Sequence, residues 1–281
     1  MSGSGIPWVG TGGGAAPGLD AYYRLTDAQL RAKYEPEKGI FIAEAPTVIE
    51  TALSAGCVPV SLLCDRKLLN GRVEETVLKC MKANAALVPF LAEHDEISAL
   101  SGFELTRGML CAMKRPQPLR TEELLSEKKR VAVLENIADS TNVGAIMRSA
   151  AGLGIDAVLL TPDCCDPLCR RAIRVSMGTV FLVPWGYAPA FPALFELLGA
   201  KGFATVALAL RKDALPIGDP ALRSAEKAAL ILGSEGYGLK EETVSGADFR
   251  AIIPMMNGVD SLNVAAAGAV AFYEFCRDKQ K

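Results

Sequence analysis

The sequence predicts an α/β protein of two domains, the second built on a mostly parallel sheet. Three observations carry this prediction. The chain has 281 residues, more than one small domain needs. Near its middle runs Lys114-Arg115-Pro116-Gln117-Pro118-Leu119-Arg120, and two prolines with flanking charge suit neither a helix interior nor a central strand. Beyond that stretch, short apolar runs alternate with helix-like segments, the pattern of a parallel sheet covered on both faces. The implied division is a tail at 1–18, an α/β domain at 19–113, a linker at 114–127 and a second domain at 128–281.

Taken in order, residues 1–18 are rich in Gly, Ser and Pro, the composition of a mobile tail. Within them Gly10-Thr11-Gly12-Gly13-Gly14-Ala15 loosely matches a dinucleotide fingerprint, but no strand precedes it and Pro17 follows. Residues 27–33 read as a helix with Thr26 as N-cap, 39–43 as a short apolar run, 45–54 as a helix and 59–64 as a strand. In the second domain, strands are expected at 130–134, 157–160, 180–183, 204–210, 229–232 and 250–253. Helices are expected at 143–153, 168–177, 191–198 and 262–276. In such sheets the ligand site lies beyond the carboxyl ends of the strands, so the loops at 136–142, 233–238 and 254–263, each following a strand, are placed to meet at one edge.

Composition bounds the function. Half the residues are hydrophobic and 22% are charged, with mean hydropathy +0.23, which supplies a packed core and excludes disorder for most of the chain. The apolar runs are strand-length, short of the ~20 residues a spanning helix needs. The start MSGSGIPWVG has neither a basic n-region nor an apolar h-region, so a cytoplasmic location is expected. Eight cysteines without paired CxxC spacing are then reduced thiols. Cys164, Cys165 and Cys169 cluster, but a fourth zinc ligand is lacking in a chain with one histidine, and no metal is expected. That histidine, His94, lies in the polar run Ala92-Glu93-His94-Asp95-Glu96 and reads as solvated surface; without a G-x-S-x-G elbow it offers no hydrolase site.

Three loops carry the chemistry. The first contains Asn142-Val143-Gly144-Ala145-Ile146-Met147-Arg148. Asn142 serves there as an N-cap on the bland account, while Thr141, Gly144, Ala145 and Arg148 are spaced to leave one helical face open beside the guanidinium. The second is Gly233-Ser234-Glu235-Gly236-Tyr237-Gly238-Leu239, whose glycines permit close backbone approach. It is not a Walker loop, because Leu239-Lys240 stands where Lys-Ser/Thr is required. The third is Ile253-Pro254-Met255-Met256-Asn257-Gly258-Val259-Asp260-Ser261-Leu262-Asn263-Val264, followed by a run of small residues. Asp260 or Ser261 would cap the helix, and Asn263 sits in a first turn that its propensity disfavours.

In order and spacing these segments resemble the three signature motifs of the SpoU/TrmH family of RNA 2′-O-ribose methyltransferases, in the SPOUT superfamily. The likeness covers 130–281, and Ala172-Ile173-Arg174-Val175-Ser176-Met177-Gly178 is similar to a further family stretch. Residues 27–119 resemble, more weakly, the small ribosomal-protein-like domain that often precedes the catalytic one and recognises RNA. The resemblance implies an α/β fold whose C-terminal parallel sheet ends in a trefoil knot, an exception to unknotted topology, and a homodimer. It implies S-adenosylmethionine as cofactor, held at Gly233, Ile253, Leu262 and, more weakly, Leu208. It implies methyl transfer to a ribose 2′-hydroxyl, with Arg148 activating the hydroxyl and Asn142, Glu235, Ser261 and Asn263 orienting substrate or neighbours. Ser234, Asp260 and Ala265 depart from the commoner Asn, Glu and Ser of the family.

RNA is the implied partner, ribosomal ahead of transfer RNA, with no membrane and no metal. The alternative is a catalytically silent RNA-binding paralogue that keeps the fold, against which the five intact polar positions argue. The net charge of −2 argues against a uniformly basic binder. Local clusters at Lys114, Arg115, Arg120, Lys128, Lys129 and Arg130, and at Arg170, Arg171 and Arg174, are the expected RNA contacts.

Overall fold

A computed structural model of the chain describes residues 6–10 and 18–277. In chain order its elements begin with β1 (Val9–Gly10), α1 (Ala28–Glu37), β2 (Ile40–Glu44), α2 (Pro46–Ser54), β3 (Pro59–Asp65), α3 (Gly71–Ala83), β4 (Phe90–Ala92), α4 (His94–Ser101) and β5 (Met109–Lys114). They continue with α5 (Thr121–Leu124), β6 (Arg130–Leu134), α6 (Ser140–Leu153), β7 (Ala157–Leu160), α7 (Arg170–Val175), β8 (Trp185–Tyr187) and α8 (Ala193–Ala200). The last are β9 (Ala204–Leu208), β10 (Leu215–Pro216), α9 (Pro220–Arg223), β11 (Ala228–Leu232), α10 (Glu241–Gly246), β12 (Phe249–Ile252) and α11 (Val264–Cys276). The chain divides into two compact units, Met1–Pro116 with Leu168–Phe181, and Gln117–Pro167 with Leu182–Lys281.

The first unit is a mixed five-stranded sheet in the order β1-β4-β3-β5-β2. β5 runs antiparallel to both β3 and β2, while β4 is parallel to β3 and β1. Leu19, Tyr22, Ile42, Leu63, Leu105 and Leu110 form its core. Tyr22 is fully buried and its hydroxyl accepts the Ala112 N–H at 3.2 Å; burial pushes its pKa well above the usual tyrosine range. The tail expected at 1–18 is described at 6–10 and 18, where β1 joins the sheet; the remainder, with most of the Gly10–Ala15 run, lies outside the described residues.

Three expectations change in this unit. Asp27, not Thr26, caps α1, its carboxylate accepting the Leu30 N–H at 3.0 Å. His94 is no merely solvated residue: Nδ1 meets the buried carboxylate of Asp65 at 2.5 Å and Nε2 lies 3.5 Å from Glu104. The domain expected to run unbroken over 128–281 is interrupted, because Leu168–Phe181 belongs to the first unit. There Arg170 pairs with Glu44 at 2.8 Å and lies over the Phe103 ring, and Phe181 packs on Phe41 at 5.1 Å. The helix foreseen at 168–177 shortens to α7, ended by positive φ at Met177 and Gly178 (+55° and +82°). At Gly178 a Cβ would sit 3.4 Å from the Val48 Cα, so this turn is also a close backbone contact. Thr179–Phe181 is then a 3-10 turn rather than a strand, and the strand role passes to β8.

The second unit holds a seven-stranded sheet in the order β10-β12-β9-β11-β6-β7-β8, every pair parallel. β6, β7 and β11 are buried along nearly their whole length, which explains their uninterrupted apolar sequences. Ala228–Leu232 aligns residue for residue with Arg130–Leu134, so the loops after β6 and β11 leave the sheet side by side. The small residues opening α11 let it lie close to the sheet: a Cβ on Gly268 would come within 3.1 Å of the Leu232 side chain. Among the described residues no helix is long and apolar enough to cross a membrane.

Candidate active site

The site begins with a buried carboxylate. Glu135 follows β6 and is almost inaccessible, so its charge requires partners. It accepts the Lys240 N–H at 3.0 Å and the Thr243 hydroxyl at 2.7 Å, anchoring the start of α10 against the end of β6. The sequence reading assigned this residue nothing. The signal was present: a carboxylate directly after an apolar central strand is rarely left unpaired. Cys164 supports the same corner, donating to the Leu134 carbonyl at 3.2 Å.

Asp139 caps α6, accepting the Asn142 N–H at 2.8 Å. Asn142 is therefore the third helical residue and not the cap, and its side chain is left for other work. Three turns on, α6 closes at Gly154 in the left-handed region.

The second loop is shaped by Gly233. A Cβ there would stand 2.4 Å from both the Gly238 carbonyl carbon and the Leu239 nitrogen, so only glycine admits this fold-back. Gly238 donates its N–H to the Ser234 carbonyl at 2.9 Å and takes φ +68°, closing Ser234–Gly238 into a tight loop. Glu235 stands exposed on it, while the Ser234 hydroxyl is buried and has no hydrogen-bond partner among the described residues.

Asn263 ties the third loop to the other two. It, rather than Asp260 or Ser261, caps α11: Oδ1 accepts the Ala265 and Ala266 N–H groups at 3.0 and 3.3 Å. With its oxygen so committed, its amide nitrogen faces the other way. That nitrogen donates to Asn142 Oδ1 at 2.9 Å and to the Glu235 carboxylate. The low helix propensity of Asn263 is resolved by its standing one position before the helix.

The second and third loops, with the end of β9, line a cavity of about 690 Å³, inside the range of roughly 300–1,000 Å³ common for small-molecule sites. Leu208, Gly233, Ile253 and Leu262 all face it, as do Glu235, Ser261 and Asn263. Asn142 reaches the cavity through Asn263. Arg148 does not line it: it is exposed on α6 and, among the described residues, forms no hydrogen bond or ion pair. Arg211 and Glu241, both unanticipated, form a two-pronged ion pair on the rim at 3.1 and 3.0 Å.

Several expected RNA contacts have structural employment instead. Arg130 donates to the carbonyls of Phe275, Lys129 and Glu226 at 3.1, 3.0 and 2.7 Å. Lys129 pairs with Glu226. Arg170 is committed to Glu44 and Phe103, and burial pushes its pKa down.

The model of the SpoU rRNA methylase family matches residues 129–273. The chain belongs to this family. Its RNA-methyltransferase class and its methyl donor, S-adenosylmethionine, follow from that membership. Among SpoU relatives, an uncharacterized tRNA/rRNA methyltransferase of Mycobacterium bovis is 37% identical over 93% of this chain and 89% of its own length. A 23S rRNA (guanosine(2553)-2′-O)-methyltransferase of Bacillus subtilis is 27% identical over 87% of this chain and 92% of its own. The fold matches that of an AdoMet-bound rRNA methyltransferase from Sinorhizobium meliloti at TM-score 0.78, with 23% identity over 92% of this chain and 93% of that one.

The residues present fit the cofactor. Leu208, Leu232, Ile253 and Leu262 supply apolar wall for a nucleoside and a methylene chain. The buried Ser234 hydroxyl supplies a polar atom with no hydrogen-bond partner among the described residues. Gly233 lets the Ser234–Gly238 loop fold back on itself, which shapes the cavity wall on that side.

Proposed function

We propose that this protein transfers a methyl group to the ribose 2′-hydroxyl of a nucleotide in ribosomal RNA, as a cytoplasmic homodimer that needs no metal. The observation that carries the proposal is the Asn142–Asn263–Glu235 cluster at the mouth of the cavity. Three loops far apart in sequence converge on one amide. Ribosomal RNA is favoured over transfer RNA by the Bacillus relative that acts on 23S rRNA. We read the first unit as a ribosomal-protein-like RNA-recognition domain, and the path of β12 through α11 past the Gly233 loop as the family's trefoil knot.

When bound, S-adenosylmethionine supplies an electrophilic methyl group on a sulfonium. The 2′-hydroxyl is a weak nucleophile until its proton departs. Arg148 cannot take that proton cheaply, because a guanidinium stays charged at any ordinary pH. Exposed and without a partner among the described residues, it is suited to clamp an RNA phosphate by charge-assisted hydrogen bonds, and that phosphate accepts the proton. Because Arg148 lies outside the cavity of its own chain, we assign it to the cavity of the second subunit. Asn263 holds Glu235 and Asn142 in place, and Ser261, also lining the cavity, offers a hydroxyl.

The test combines S-adenosylmethionine titration calorimetry with tritiated methyl transfer to hypomethylated ribosomal RNA, followed by mapping of the product. Transfer that vanishes in Arg148→Ala at unchanged cofactor affinity is the expected result. Cofactor binding without transfer across ribosomal and transfer RNA would instead establish the silent paralogue.

A further inference from the structure

Tyr237 has no part in the site as described. It is 93% exposed, the most open large hydrophobic side chain among the described residues. Its hydroxyl forms no hydrogen bond among them, so neither end of the ring is held by the protein. Yet it lines the cavity with Glu235, and it stands on a loop fixed by the backbone contact of Gly233 with Gly238 and the Ser234–Gly238 hydrogen bond. Its neighbours are Gly236 and Gly238, and a Cβ at either would meet nothing within 4 Å. Both faces of the ring are therefore unobstructed by adjacent side chains.

A rigidly mounted, solvent-facing aromatic gains nothing for the fold. It matches what a nucleotide needs on leaving its helix: an enzyme that works on one residue of a structured RNA must unstack it, and a flipped base regains stacking on an aromatic side chain. A ribose placed with its 2′-hydroxyl at the cavity mouth carries its base along the rim on which Tyr237 stands. We propose that Tyr237 is the stacking platform for the base of the methylated nucleotide; this rests on the RNA-methyltransfer reading above. Stacking accepts any base, because every base has a π-face.

The experiment compares Tyr237→Ala, Tyr237→Phe and Tyr237→Trp with wild type on an in-vitro-transcribed 23S rRNA, measuring methyl transfer, RNA affinity by filter binding and S-adenosylmethionine affinity by calorimetry. The alanine variant should lose roughly 10–100-fold in kcat/KM for RNA, the range base–aromatic stacking spans. Phe and Trp should stay within about threefold of wild type, with cofactor affinity unchanged in all three, since stacking uses the ring and not the hydroxyl. An alanine variant equal to wild type, a phenylalanine variant as poor as alanine, or a parallel loss of cofactor affinity overturns the proposal. Wild type that binds the transcript without methylating it removes the methyltransfer reading, while an alanine-specific loss of RNA affinity still supports stacking. Wild type that neither binds nor methylates removes both.

Discussion

Replacing Asn263 by aspartate separates its two duties. The retained oxygen still caps α11, because Asp is as good an N-cap as Asn. The lost nitrogen removes two hydrogen bonds, one of them to the Glu235 carboxylate, and sets a second carboxylate beside it. A hydrogen bond to a charged group contributes about 1.5–3 kcal/mol, so transfer should fall roughly a hundredfold, about 2.7 kcal/mol in the barrier. Because the cap is kept, the unfolding midpoint should fall less than in the alanine variant, which loses about 1 kcal/mol of capping as well. Asn263→Ala should lose both, unfolding earlier as well as reacting slowly. Single-turnover transfer of a tritiated methyl group and thermal denaturation of the two variants give the four numbers. If the aspartate variant methylates within twofold of wild type, Asn263 is a helix cap and nothing more.

Other consequences follow from single contacts. Gly233→Ala forces its Cβ into the backbone of Gly238 and Leu239; the loop must open, and cofactor affinity by calorimetry should drop at least tenfold, with about 1–3 kcal/mol of stability lost to overpacking. The Asp65 carboxylate holds the His94 pKa above the usual histidine value of 6.5. Because the folded value is raised, the pair's stabilisation is complete below about pH 6.5 and is lost as pH rises through the folded pKa. The gap in denaturant midpoint between wild type and His94→Gln should therefore narrow from pH 5.5 to pH 8.5, and a gap that widens refutes the pairing. RNA affinity should fall linearly with the logarithm of salt concentration despite the acidic pI of 5.7; replacing Arg148 should lower that slope by about 1, whereas a slope unchanged in the variant removes Arg148 from the phosphate contacts.

Legibility in the sequence followed burial. Arg130–Leu134 and Ala157–Leu160 were delimited correctly because both faces of those strands are covered and the apolar run ends where the strand does. Caps were misplaced for a local reason. The run Asp139-Ser140-Thr141-Asn142 contains four residues that can each cap a helix, as does Asp260-Ser261-Leu262-Asn263 with three. Which one does so depends on where the chain leaves the sheet. The strand expected at 180–183 failed because an apolar run of four has no period of its own, and the positive φ at Met177 and Gly178 turns the chain before it.

By itself the sequence determined the class of fold and the three loops, because hydrophobic periodicity and glycine placement are local properties that neighbours along the chain express directly. It carried Gly233, Glu235, Ser261 and Asn263 in recognisable spacing. Tertiary structure decided what each residue does. Only the side-by-side register of β6 and β11 brings Asn142, Glu235 and Asn263 within one amide's reach, and only the folded chain shows that Arg130 and Arg170 are occupied with carbonyls and a carboxylate while Arg148 is not. Hydrogen bonds at 2.9 Å depend on the path of the whole backbone, and no window of sequence contains that path.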